Sequence, residues 1–417
     1  MPTSSRSGLR GPRPSSMMPP MHLTIESNSV LIRELSQNPS IARTADGDLL
    51  LLQANYCDAM AGCCERLHRS TDDGRTWSPP ERTFVCDMHL GGLEGTLSCV
   101  GDLAFVAGLE GSDLKRQPRN PKRCSLRRST DGGRSWSAPV DLDDRRGGVM
   151  PYGKVIRLRS SGRLLLPTYA CKSWLDRGGS RIIGVIFASD DEGLTWSELG
   201  TIEPDASVRD LGLLELAVVE LPDSRLLGIT RGDAVTTGAF PYGMRSVSED
   251  GGRTWSPATP TNVSICEPRP TITPDGRILL AARSWPGNVY FYYRPLEPHE
   301  REPGTKQTET VAAGLRDEYL TPVRDFGVLL FTTEDDGLTW QPMLTVNEPE
   351  SGPLPADAEP LTQHRFQAAY PDIVWLDDER LFCVYRQPDP GLPDLRPGLT
   401  YSHAFQRYVA GCVVRLS

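Results

Sequence analysis

One polar nonapeptide recurs five times in this chain: RSTDDGRTW at 69–77, RSTDGGRSW at 128–136, ASDDEGLTW at 188–196, VSEDGGRTW at 247–255 and TTEDDGLTW at 332–340. Its Asp, Gly, Ser and Thr content suits a tight turn and neither a helix nor a strand. The tryptophans that close it (Trp77, Trp136, Trp196, Trp255 and Trp340) are 59, 60, 59 and 85 residues apart. So regular a spacing marks a repeat architecture and overrides the two or three domains that 417 residues would otherwise suggest. A unit of about 60 residues is too long for most helical solenoids and fits one four-stranded propeller blade.

A second pattern runs through the units, a short Asp/Gly/Ser turn followed by an apolar run. It reads TADGDLLLLQA at 44–54, SSGRLLLPTYA at 160–170, LPDSRLLGITR at 221–231, TPDGRILLAAR at 273–283 and LDDERLFCVYR at 376–386. Each predicts a hairpin turn feeding a buried strand. A blade then reads as first strand, Asp/Gly turn, second strand, variable loop, third strand, nonapeptide, fourth strand. The nonapeptide is the turn between the last two strands. Its Asp accepts backbone N–H bonds, its Gly supplies positive φ, and its Trp packs back on the blade. The box aspartates Asp72, Asp131, Asp190, Asp250 and Asp335 are therefore expected to be structural.

First strands are predicted near Pro39, Leu93, Tyr152, Leu213, Pro268 and Tyr370, which makes six blades from five boxes. The sixth blade lacks a box. SVLIREL, 29–35, is placed to supply its fourth strand beside YVAGCVVRL, 408–416, closing the ring and removing an exposed sheet edge. The expected organisation is all-β: a disordered tail over 1–22, then one six-bladed β-propeller over 23–417. The long last gap falls in RPLEPHEREPGTKQTET, 294–310, read as a loop. In such a meander all the boxes lie on one face. The starts of the first strands and the loops after the second strands lie on the other, around the axis, where function is expected.

Composition excludes some classes. The net charge of −9 argues against a nucleic-acid footprint, and no run of 18 apolar residues is present. The basic, Ser/Pro-rich start has no apolar stretch of a secretory signal, so a cytoplasmic location is the expectation. Cys57, Cys63 and Cys64 near His68 lack the paired spacing of a zinc site, and the ten cysteines read as reduced thiols. No metal or cofactor is expected; the expected partner is a carbohydrate.

Boxes of this form, six blades and EPRPTITPDGRILLAARS at 267–284 together resemble the sialidase superfamily, over essentially the whole chain from about residue 28. That family uses a tyrosine nucleophile paired with a glutamate, an aspartate acid/base and three arginines that grip a substrate carboxylate. The resemblance implies Tyr370 as nucleophile, Glu267 as its partner, Asp58 as acid/base and Arg283 as a substrate arginine. The residue types fit the chemistry. A free phenol ionises near pH 10 and needs a neighbouring base, and a planar guanidinium binds a carboxylate bidentately. The family's blade-one R-I-P is replaced by QNPSIART, which puts Gln37 where an arginine is expected. Arg365 and Arg316 are candidates for a third arginine, and Arg43 or Arg365 for a substitute. Glu215, near the start of blade four, joins the substrate-binding candidates. The resemblance thus implies an exo-acting glycoside hydrolase of altered specificity.

Two other readings stand beside it. CDMHLGGLEGT at 86–96 and GVMPYGKVIR at 148–157 bring His89, Glu94 and Tyr152 toward the axis. A His–Tyr pair with an arginine is what a polysaccharide lyase needs to abstract a proton from a uronate and protonate the leaving oxygen. A non-catalytic glycan-binding propeller would use the same acidic and aromatic groups.

Overall fold

A computed structural model describes residues 20–33, 37–54, 64–85, 95–110, 123–142, 149–170, 182–208, 211–234, 242–284, 289–295, 308–314, 327–347, 368–388 and 407–417. The architecture is the expected one, six blades of four antiparallel strands each. Blade one runs Gln37–Arg43, Leu49–Ala54, Cys64–Ser70, Arg82–Val85, and each later blade repeats that path. Blade three splits its first strand into Val149–Pro151 and Ile156–Arg157. Blade six consists of Ala369–Trp375, Arg380–Pro388 and Arg407–Leu416, with Leu23–Ile32 from the other end of the chain as its outer strand.

The closing strand begins earlier than 29–35. It pairs from Leu23 opposite Leu416 to Ile32 opposite Val409, and His22 and Ser417 exchange backbone hydrogen bonds beyond it. Met21 is buried and belongs to the apolar cluster that holds Leu330, Ile373 and Val414. The insertion is more than a loop. Val289–Pro295 and Thr308–Gly314 pair as a hairpin between the second and third strands of blade five, on the predicted face.

The boxes are the turns expected of them. In the first, Ser70 Oγ–H donates to Asp72 Oδ1 at 2.8 Å and accepts the Gly74 N–H at 2.9 Å. The Asp72 carboxylate accepts the N–H and hydroxyl of Thr76 at 2.9 and 2.7 Å. In blade three, however, the box aspartate is Asp191, not Asp190. Asp191 binds Ser189 and Thr195, while Asp190 turns outward to a two-bond pair with Arg163. Two aspartates stand side by side there, and the position two after the serine is the one that can cap the turn.

Three of the box tryptophans also pack against a neighbouring blade. Trp77 stacks on Phe382 of blade six, Trp136 meets Phe84 of blade one edge-on, and Trp196 meets Phe105 of blade two. The box glycine is required twice over. Gly74 and Gly193 hold φ near +80°, and a Cβ on them would lie 2.8 Å from Phe382 and 2.4 Å from Phe105, side chains of the preceding blade.

The hydrogen bonds of Asp191 hold its carboxyl at about 2, below the ordinary 3.8, the Thr195 hydroxyl contributing most. A depressed acid stabilises the fold above its unfolded pKa and loses that effect as pH falls through the folded one. We expect Asp191→Ala to cost about 1–2 kcal/mol at neutral pH, and Asp190→Ala less than about 0.5 kcal/mol. The Asp191→Ala difference should fade between about pH 4 and pH 2 in urea melts. Equal costs at the two positions would contradict the assignment.

Candidate active site

The site is built by an irregularity repeated at the starts of the first strands. In blades one, four, five and six the pairing of first and second strand shifts register by a bulge, at Asn38, Glu215, Glu267 and Tyr370. These four residues hold φ between 47° and 57°, which for a non-glycine residue costs about 1–3 kcal/mol each. A β-bulge leaves one residue outside the ladder and re-aims its side chain. Pro39, Pro268 and Pro371 follow three of the four. A proline there has no N–H to be stranded by the bulge.

Two of the bulges, at Glu215 and Glu267, are tied to the next blade. The Glu267 N–H donates to Glu215 Oε2 at 2.8 Å, and the Tyr370 N–H donates to Glu267 Oε2 at 2.6 Å. Opposite the residue before each bulge, the second strand carries an arginine in blades four to six: Arg231 opposite Leu214, Arg283 opposite Cys266, Arg386 opposite Ala369. Arg231 pairs with Glu215 Oε1 at 2.5 Å and Arg283 with Glu267 Oε1 at 2.7 Å. Tyr370 lies beside both later arginines, with the Arg283 and Arg386 Cζ atoms 5.8 and 4.7 Å from its ring centroid.

The electrostatics follow from burial. Glu267 is fully buried, which pushes its carboxyl above the ordinary carboxylate range. Arg283 is the main opposing influence; Glu215 adds to the rise, and Arg386 works against it. Burial is the largest single influence on Arg283 and disfavours its charge, yet Glu267, Cys266, Tyr370 and Glu215 together outweigh it and the guanidinium is held charged.

Beneath this rim charged side chains meet across the axis. Lys154 of blade three reaches the diametrically opposite blade, with Nζ 2.8 Å from Asp372 Oδ1, and donates to the Ile41 and Ile373 carbonyls. Arg269 of blade five donates to the Tyr152 carbonyl at 3.0 Å, covers the Tyr152 ring at 3.9 Å and faces Asp372 at 3.5 Å. Asp372 Oδ2 also accepts from the Ser40 hydroxyl and the Ile41 N–H, both at 2.8 Å. Burial pulls the Lys154 ammonium below its ordinary pKa against the pull of Asp372.

Of the residues singled out in the sequence, Tyr370, Glu267, Arg283 and Glu215 come together on this rim. Both carboxylate oxygens of Glu215 are taken up by Arg231 and the Glu267 N–H. Tyr152 lies in the floor, buried under Arg269. Arg43 cannot substitute for a blade-one arginine. It sits at the box end of its strand, donating to the Gly47 and Leu376 carbonyls. His68 is buried with Nδ1 at 2.9 Å from the Ser78 carbonyl, a structural contact. Asp58, His89, Glu94, Arg316, Arg365, Cys57 and Cys63 lie outside the described residues, as do the side chains of Gln37 and Cys64. Among the described residues, no three His, Cys, Asp or Glu side chains gather as metal ligands. Sequence reasoning missed Arg386, Arg269, Asp372 and Lys154. Only Arg386 left a signal, the arginine that also ends the second strands of blades four and five.

Fold, fasteners and rim define a class, the six-bladed propellers of the sialidase superfamily. The chain belongs to the BNR repeat-like domain family, whose model matches residues 106–383. It is 30% identical over 250 residues to a sialidase of Micromonospora viridifaciens; the match takes in 53% of this chain and 36% of that enzyme, about a third of its length. Among solved structures, a protein of unknown function from Dyadobacter fermentans superposes with a TM-score of 0.65 at 17% identity, covering 95% of this chain and 99% of its own. A Hadza microbial sialidase gives 0.54 at 17% identity, over 91% and 66%. An α-L-arabinofuranosidase of Fusarium graminearum gives 0.53 at 14% identity, over 94% and 98%. At these identities the structural likenesses establish the fold.

We expect Asp372→Ala to leave Lys154 and Arg269 facing each other across the axis. Breaking a buried ion cluster from the carboxylate side costs about 3–5 kcal/mol. Urea unfolding measures it; a loss below about 1 kcal/mol would show that the axial cluster is not needed to hold the blades.

Proposed function

We propose that the protein is a glycoside hydrolase that removes a terminal sugar with Tyr370 as nucleophile. The observation that carries this reading is the placement of Glu267, fully buried, between Arg283 and the backbone of Tyr370 in the adjacent blade. A phenol attacks only once its proton is removed. A carboxylate whose pKa is raised by burial is a better acceptor for that proton than an exposed one. In the proposed reaction Glu267 takes the phenol proton as the Tyr370 oxygen bonds to the anomeric carbon. Asp58 gives its proton to the departing glycosidic oxygen. Water then releases the sugar from the tyrosine, with the proton movements reversed. Tyrosine nucleophiles are a known variant of the two-carboxylate scheme.

Terminal action follows the resemblance to the sialidase superfamily. The substrate we propose is other than a simple sialoside. Where the family has its blade-one arginine, this chain has Gln37, and a lost charge-assisted pair costs about 2–5 kcal/mol when the partner charge stays buried. That corresponds to about 30-fold to several thousandfold in affinity.

A released-sugar screen over sialosides, arabinans and uronic-acid glycans tests both halves. We expect little turnover of an aryl sialoside and more of another terminal glycoside. Tyr370→Phe should abolish that turnover while binding persists, because only the nucleophilic oxygen is gone. Efficient sialoside cleavage would overturn the substrate half. Full activity in Tyr370→Phe, or an unsaturated uronate product lost in His89→Ala, would overturn the mechanism.

A further inference from the structure

We propose that Arg386 is a positioning residue for the nucleophile: its guanidinium, laid over the Tyr370 ring, favours the ionised phenol. This rests on Tyr370 being the nucleophile. The register comparison carries it. Arg231, Arg283 and Arg386 occupy one equivalent position in three successive blades, opposite the residue before the bulge. In blade one that position is Ala54, opposite Gln37. In blades four and five the guanidinium meets the carboxylate of its own blade's bulge residue, Glu215 or Glu267. In blade six the bulge residue is Tyr370, and the guanidinium meets an aromatic ring, with Cζ 4.7 Å from its centroid. A phenol ring occupies the place that an anion takes in the two blades before it.

The face of an aromatic ring attracts cations, and it becomes more negative when the phenol loses its proton. A guanidinium fixed there gains on ionisation. Arg386 is 1% exposed, so solvent and salt screen it little. Arg283 also flanks the ring, at 5.8 Å, but is committed to Glu267. Arg386 helps to hold Glu267 ionised as well, the form that can accept the phenol proton. The charged groups that face Tyr370 among the described residues include Arg386 from its own blade and Arg283 and Glu267 from blade five. Glu215 and Arg231 of blade four stand one step behind, and the blade-one bulge residue, Asn38, is neutral.

The test needs no substrate, so its failure is distinct from an absence of turnover. The protein is labelled with carbon-13 at the tyrosine ring Cζ, and the twelve phenols are titrated by NMR. The Tyr370 signal is identified by its loss in Tyr370→Phe. A cation within about 4–6 Å lowers the pKa of an acid by about 1–3 units. Arg386→Gln should therefore raise the titration midpoint of Tyr370 by about one unit or more. Arg386→Lys, which keeps the charge without the planar group, should raise it less. If Arg386→Gln does not fold, Arg386→Lys is read alone, an upward shift being expected. A midpoint unchanged in the folded variant would overturn the proposal. On any glycoside that is turned over, Arg386→Gln should lower kcat more than it raises KM; the reverse would point to a substrate contact instead.

Discussion

Side-chain oxygens that accept backbone N–H groups from the next blade hold this ring together. Blades in a propeller share no backbone ladder, so their first strands must be joined some other way. Asp372 of blade six takes the Ile41 N–H of blade one. Ser40 takes the Leu97 N–H of blade two, and Ser98 the Val155 N–H of blade three. Glu215 takes the Glu267 N–H, and Glu267 that of Tyr370. At the step from blade three to blade four, Gly153 approaches so closely that a Cβ would lie 2.8 Å from the Leu216 carbonyl. A bond of this kind to a buried charged acceptor is worth about 1.5–3 kcal/mol, and leaving the acceptor empty costs more. The ring and the candidate site therefore depend on the same atoms. Glu267 cannot be removed from one without loosening the other.

The two faces divide the labour. On one, a box fastens each of blades one to five and wedges a tryptophan or glycine against the blade before it. Their aspartates accept hydroxyl and N–H donors from within the turn itself. On the other face, the bulges hold four residues in strained backbone and aim them inward. Strain of this sort persists only where the surroundings over-determine it. Here the following prolines, the cross-blade bonds and the arginines of the second strands do so.

Features that repeat were legible in the sequence. The boxes, the 59–60 residue spacing, the count of six and the closure by both termini follow from periodicity and from the need to cover a sheet edge. The Glu267–Arg283–Tyr370 group was legible because it resembles a known family. Features that occur once were not. Ser40, Lys154 and Asp372 carry no local signal, and their partners lie 57 to 332 residues away in the chain. Adjacent Asp190 and Asp191 look interchangeable until the turn geometry selects one. Arg386 ends its apolar run as Arg231 and Arg283 end theirs, and nothing local sets it apart. Only the cross-strand register shows that the three arginines are equivalent and that Tyr370 replaces a carboxylate.

We propose that the bulges deliver Tyr370 to Glu267 as a nucleophile and its base. The most direct measurement is to trap the sugar on the protein. Glycosyl fluorides fluorinated beside the anomeric carbon slow release of a covalent intermediate, and peptide mass spectrometry then locates the adduct. The account predicts a sugar-sized mass on the peptide containing Tyr370 and none in Tyr370→Phe. An adduct on the Glu267 or Glu215 peptide, with Tyr370 unmodified, would contradict it.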